Sequence, residues 1–430
     1  MITYLKEKLR LESLPESILF VATFLIPFYF WRLKIGPIKT NIFEIAVILA
    51  FILFVFTKLW QQYKIHNVKI SFGKPWPYLF LLVALISTII APDQTKAFGI
   101  FKGWFFIPVL YYFLIINIVK LKNMTKLAWA ILISVLIVSI FGLLQAAGLR
   151  NWLLPWQIAD NDLIGFLNNK PIRIFSFFES PNYLAMLLVP SFFISLSLLE
   201  NVKSRFIYFI VGLSSIVIPA TVWLSGSRGG YLALIFGGLY LLVKFISNKK
   251  SLLKYIIIPL VIVSLAASFF IALDNKNHPN SSLGRQRIGR YTLYLVSQNP
   301  IKGVGLGGYP AALKEAAKND QEFLVFFYPY AYHPHNLFLT IWLNLGIAGL
   351  VLFFILLLNS ILGMKKQVSW SKKVLIAAII GIIIHGLFDT NYFKNDLAAI
   401  FWLIMAWTFL TSKDSNEQYR SGNTDLSSRW

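Results

Sequence analysis

The sequence predicts an all-α integral membrane protein of about twelve transmembrane helices, with a small helical extracytoplasmic cap between spans nine and ten. Three observations predict it. The 430-residue chain is 57% hydrophobic and only 13% charged, with a mean hydropathy of +0.67. Apolar windows of about 17–25 residues, the length a helix needs to cross the hydrocarbon core, recur along nearly the whole chain. Basic residues gather in alternate loops.

The apolar windows fall near 17–33, 41–57, 76–92, 97–119, 127–148, 181–199, 206–224, 229–246, 254–273, 336–362, 373–390 and 396–412. Between them lie Lys58, Lys64, Lys69 and Lys74, then Lys120, Lys122 and Lys126, then Lys203 and Arg205. Lys244, Lys249, Lys250 and Lys254 follow, and finally Lys365, Lys366, Lys372 and Lys373. By the positive-inside rule these loops and both termini are cytoplasmic. The net charge of +22 is thereby a topological signal, and nucleic acid is not an expected partner. The absence of cysteine excludes disulfides and thiolate metal sites. Met1–Glu16 is charged and lacks a small-residue cleavage site, so the first helix is expected to be retained. The chain divides into a polytopic membrane domain, 1–412, and a polar, Ser-rich tail, 413–430, expected to be disordered in the cytoplasm.

The same alternation leaves two long outer loops, 149–180 and 274–335, and short outer turns near 34–40, 93–96, 225–230 and 389–396. The first long loop carries Trp152, Trp156, Phe166, Phe175, Phe177 and Phe178, aromatics suited to the headgroup region. The second contains helical stretches near 285–298 and 310–324, separated by Asn299-Pro300 and the run Gly303–Gly308. These form the cap. No internal repeat is visible, which weighs against transporters built from repeated halves.

Functional groups collect on the outer side. Two of the five histidines stand in His333-Pro334-His335-Asn336, where the cap meets the tenth span. Pro334 suits the first turn of the following helix, which puts His335 near a helix amino terminus. There the helix dipole and neighbouring arginines oppose protonation, leaving an imidazole able to accept a proton. In Ser225-Gly226-Ser227-Arg228-Gly229-Gly230, glycine permits a tight reversal and Ser227 can cap the next helix. Arg228 offers a bidentate contact for phosphate. The plainer reading is a tight turn whose arginine snorkels to water.

Arg285, Arg287 and Arg290 open the cap, with Arg287 and Arg290 on one helical face and Arg285 off it. Outer-side arginines run against the positive-inside trend and point to an anionic ligand. Arg173, just ahead of Asn182, is a further contact or a surface salt bridge with Glu179. Lys102 either snorkels or touches phosphate, and His385 with Asp389 forms an i, i+4 pair that stabilises either the site or only itself. His333 and His335 lie only two apart and the outer carboxylates are scattered, so no metal site is expected.

Four segments resemble the O-antigen ligase and polymerase superfamily of bacterial envelope glycan enzymes. They are Arg173 through Phe178-Glu179-Ser180-Pro181-Asn182; Ser225 through Gly230; Gly284-Arg285 with Asn299-Pro300-Ile301-Lys302-Gly303-Val304-Gly305; and His335-Asn336 with Gly346 beyond. The resemblance implies transfer of a glycan from an undecaprenyl diphosphate donor to an acceptor hydroxyl. It places the reaction at the outer, periplasmic or extracellular, face of the bacterial cytoplasmic membrane, with no cofactor. It implies His335 as base and Arg228, Arg285, Arg173 and Arg290 as diphosphate contacts, with Ser227, Asn182, His333 and Asn336 in support. The motif does not align cleanly around Gly289-Arg290-Tyr291, so Arg285 and Arg290 compete for one role. The acceptor is a glycan, lipid A-core or protein hydroxyl, which keeps a repeat-unit polymerase and a protein O-oligosaccharyltransferase alongside the ligase. A transporter of lipid-linked sugars is the reading from another class. It would require charges at mid-membrane on several helices, whereas Glu44 and Lys102 are the main buried-looking charges and the other groups sit at one rim.

Overall fold

The computed structural model describes residues 2–36, 38–65, 68–148, 173–200, 202, 204–246, 279–363 and 369–427. It is almost wholly helical. Among the described residues, eight helices are long and apolar enough to cross a membrane, and two shorter apolar ones, Ser13–Phe28 and Trp76–Ile89, accompany them. The expected span at 254–273 and the loop portions 149–172 and 274–278 lie outside the described residues.

The helices are α1 (Ile2–Leu25), α2 (Ile42–Ile65), α3 (Trp76–Ile89), α4 (Gln94–Phe101), α5 (Ile107–Ile118), α6 (Met124–Ala146) and α7 (Pro181–Leu196). Then come α8 (Arg205–Leu224), α9 (Arg228–Ile246), α10 (Pro279–Gln298), α11 (Tyr309–Ala316) and α12 (Gln321–Phe326). The last three are α13 (Leu337–Leu362), α14 (Trp370–Gly386) and α15 (Asn395–Ser427). The final helix runs into the segment expected to be a disordered tail.

Two local departures stand out. The stretch 34–40, expected to be a simple turn, belongs to an antiparallel hairpin, β1 (Arg32–Ile35) and β2 (Ile38–Asn41), with Arg32 opposite Asn41. Alternation of polar and apolar residues in Arg32-Leu33-Lys34-Ile35 was the available signal. Lys102 opens a π-helical segment, Lys102–Phe106, between α4 and α5. Its Nζ lies 2.6 Å from the Glu44 carboxylate and donates to the Lys39 carbonyl at 2.5 Å. Asn395 Nδ2 donates to the other Glu44 oxygen at 2.8 Å. The two charges therefore neutralise each other and tie the hairpin, α2, the π-turn and α15 together.

At the centre, α14 packs on α9 and α7. Close approach depends on missing side chains. A Cβ at Gly237 would lie 2.4 Å from the Phe193 ring, and one at Gly230 would lie 2.8 Å from Ala185 Cβ. The beginnings of α7, α9 and α13 and the end of α14 all reach the same rim of the bundle, so groups distant in sequence meet there.

The cap has its own small core of Ile288, Leu295, Tyr309, Leu313 and Phe323 around Leu343 of α13. The stretch expected as one helix near 310–324 is broken into α11 and α12, because Asp320 caps the second through the Phe323 N–H. Glycine anchors the cap. Gly346 interrupts α13 with φ of +70°, and a Cβ there would meet the Ile301 carbonyl at 2.1 Å. Ile347 N–H donates to Ile301 at 3.1 Å and Val304 N–H to the Leu343 carbonyl at 2.7 Å. Asn344 accepts from the Gly307 N–H at 2.8 Å. The glycine run after Asn299-Pro300 is thus a docking loop as well as a turn.

Candidate active site

A continuous polar chain crosses one rim of the helical bundle. Arg173 Nε donates to the Ser225 carbonyl at 2.8 Å, and its NH2 donates to Asn182 Oδ1 at 3.0 Å. Asn182 Nδ2 donates to Asp389 Oδ2 at 2.9 Å. The other Asp389 oxygen lies 3.5 Å from His335 Nδ1 and 4.0 Å from His333 Nδ1. Arg173, Asn182, the 225–230 turn and His335, separate motifs in the sequence, are neighbours here.

The backbone accounts for this convergence. Gly226 has φ of +65°, and a Cβ on it would strike Arg173 Nε at 2.8 Å. Ser227 accepts from the Gly230 N–H at 3.3 Å, capping α9 as the sequence predicts. Gly229 serves proximity and not reversal, since a Cβ there would lie 2.6 Å from His385 Cδ2.

Pro334 does not enter the helix that follows, contrary to expectation. Asn336 is the N-cap, accepting from Leu339 N–H at 3.0 Å, and its Nδ2 donates to the Leu387 carbonyl at 3.2 Å. His335 sits one residue earlier with φ of +51°. A left-handed non-glycine residue costs about 1–3 kcal/mol, which the surrounding contacts must offset.

Of the i, i+4 pair His385 and Asp389, Asp389 turns its side chain to His333, His335 and Asn182 in the loop beyond α14, an approach set by long-range packing and not by local sequence. Burial by itself would raise its carboxyl. The neighbouring imidazoles, His335 first and then His333 and His385, outweigh that and hold it below the usual carboxylate range. Burial pushes His333 down to about 4, against the opposing pull of Asp389. Tyr183 hydroxyl lies 3.2 Å from His333 Nε2. The Nδ1 atoms of His333 and His335 are buried without a hydrogen-bond partner.

Glu179 does not pair with Arg173. Its carboxylate takes Lys394 at 2.6 Å and Arg32 at 3.7 Å, while Lys394 lies 3.7 Å from the Tyr183 ring centroid. The remaining arginines separate clearly. Arg228 is exposed at the start of α9, and both it and Arg173 lie within charge range of the Tyr231 phenol. Arg285 is exposed and reaches His385 electrostatically, whereas Arg290 acts on Tyr291 within the cap. Arg287 is engaged by Glu322 at 2.9 Å and by the Phe327 ring at 5.3 Å.

Fold and rim together define a polytopic helical membrane protein with a histidine–carboxylate pair and arginines at one edge. Residues 209–354 match the family model described as O-antigen ligase, so the chain carries the pattern of the O-antigen ligase superfamily over that segment. The match takes in the 225–230 turn, the cap arginines, His335 and Gly346. An uncharacterized protein from Haemophilus influenzae is similar, 26% identical over 230 residues, or 47% of this chain. The chain spans little more than half of that relative, 56% of its length.

Proposed function

We propose that this protein transfers a glycan from an undecaprenyl diphosphate donor to an acceptor hydroxyl at the outer face of a bacterial cytoplasmic membrane. The observation carrying this reading is the polar chain from Arg173 through Asn182 and Asp389 to His335, with Arg228 acting on nearby Tyr231 and Arg285 on His385. The match to the O-antigen ligase model supports the class of reaction.

Asp389 faces His335 Nδ1, which favours the tautomer carrying its proton there and leaves the Nε2 lone pair free. Nε2 takes the acceptor hydroxyl's proton as that oxygen attacks the anomeric carbon. The bond from that carbon to the diphosphate oxygen breaks, and the lipid diphosphate departs with the electron pair. Arg228 and Arg285 stabilise the developing charge, while Arg173 is held by Ser225 and Asn182 and adds to the positive field. One displacement inverts the anomeric configuration. The leaving group is already activated, so the step needs no nucleotide.

Purified protein in detergent with an undecaprenyl diphosphate-linked oligosaccharide, an acceptor panel and EDTA tests this. Release of lipid diphosphate together with glycan on one acceptor class supports the reading and separates ligase, polymerase and protein glycosylation. Donor binding with no release on any acceptor rejects it in favour of lipid-linked sugar transport.

A further inference from the structure

We propose that His333, His335 and Asp389 form a binding site for an imidazole-seeking divalent cation such as Zn²⁺, and that filling it silences the transfer. The regulatory half rests on the function proposed above, whereas the binding half does not.

The three groups come from two segments, the entry to α13 and the loop after α14. One atom from each lies within 4.8 Å of the other two. Ligand atoms of a tetrahedral zinc with bonds of about 2.0–2.1 Å stand about 3.3 Å apart. The observed 3.5 Å from His335 Nδ1 to Asp389 Oδ1 and 4.0 Å from His333 Nδ1 need only a small closure of side chains. Both Nδ1 atoms are buried and make no hydrogen bond, with Asp389 Oδ1 near but not engaged, an arrangement that buried polar atoms seldom keep unless something else occupies them.

The outer shell fits the same reading. His333 Nε2 faces the Tyr183 hydroxyl at 3.2 Å, so with Nδ1 on a metal its ring N–H would have an acceptor. Asp389 Oδ2 is held by Asn182, and Oδ1 takes one backbone N–H from Thr390 at 3.0 Å, keeping a lone pair for the cation. Three protein ligands leave the fourth position to water. A single carboxylate among arginines is poor ground for Mg²⁺ or Ca²⁺, which want several oxygens.

The consequence for the reaction follows from the tautomer. Coordination through His335 Nδ1 moves that ring's proton to Nε2, the atom that must be unprotonated to accept from the acceptor hydroxyl. Metal and general base are mutually exclusive.

Tag-free, full-length protein in detergent would be titrated with Co²⁺ and, by calorimetry, with Zn²⁺. The proposal expects intense visible bands of four-coordinate cobalt, one zinc per chain, and binding weakened about tenfold or more by His333→Ala. Cobalt bands no stronger than in buffer overturn the site, and that arm uses only the wild-type protein. Equal zinc affinity in wild type and in well-folded His333→Ala overturns it as well. Transfer in EDTA that persists at saturating zinc overturns the regulatory half alone. Loss of transfer in EDTA with cobalt binding intact rejects the transferase reading and keeps the site.

Discussion

His335 Nδ1 lies 3.5 Å from Asp389 Oδ1, joining the residue ahead of the α13 cap to the loop that closes α14. Neither residue would hold this geometry alone. His335 is in a left-handed backbone conformation, and Asp389 is fixed from its other side by Asn182 and, through it, Arg173. The separation is long for a hydrogen bond, as catalytic contacts without substrate often are.

That relationship makes Asp389 a positioning residue. Asp389→Asn is expected to lower kcat by about 100-fold or more while leaving donor affinity within about threefold. A merely structural role would lower the amount of folded protein and leave kcat per folded molecule in place. Steady-state kinetics on gel-filtered protein separates the two.

The arginines should divide as their surroundings divide. Arg228→Ala and Arg285→Ala are expected to weaken donor binding by about ten- to hundredfold, as loss of hydrogen bonds to a charged group does. Arg290→Ala should change it by no more than about 0.5 kcal/mol, since that side chain acts within the cap. Arg287→Ala should loosen the cap without touching donor affinity, because Glu322 and Phe327 hold it. Equilibrium binding of the lipid-linked donor to each variant checks the series.

Gly346 is expected to tolerate no side chain. Its φ of +70° and the Ile301 carbonyl 2.1 Å from a built Cβ oppose any substitution. Gly346→Ala should destabilise the protein by more than about 1 kcal/mol and undock the loop at 301–304 from α13. Thermal unfolding together with limited proteolysis would register both, with new cleavage inside 299–308.

Acid should weaken the rim. His333 is held down to about 4 in the folded protein against 6.5 for a free imidazole. Between those values the unfolded chain binds the additional proton and the folded one does not, so stability falls as pH drops through that window. Thermal midpoints measured from pH 7 to pH 4 should decline. His333→Gln should flatten the decline; a parallel curve in that variant would assign the sensitivity elsewhere.

The helices were largely legible in the sequence because hydropathy and loop charge are local signals, although the window 17–33 runs on into β1 and eight helices among the described residues are long and apolar enough to cross a membrane, against about twelve expected for the whole chain. Ser227 as a cap and the cap's first helix were legible for the same reason. What the sequence concealed is long-range. Asp389 looked like one scattered carboxylate because its partners, Asn182 and His335, come from other helices. Gly229 looked like a turn residue, although its role is contact with His385 across the interface of α9 and α14. Pro334 misled through a local preference, since the Asn336 cap sets the helix start two residues further on.

The most direct test of the account compares wild type and His335→Ala for donor binding and single-turnover transfer in EDTA. Unchanged donor affinity, with transfer slowed by about 10²–10⁴-fold, is the result this arrangement predicts. Transfer at the wild-type rate in the variant would remove His335 from the chemistry and contradict the account at its centre.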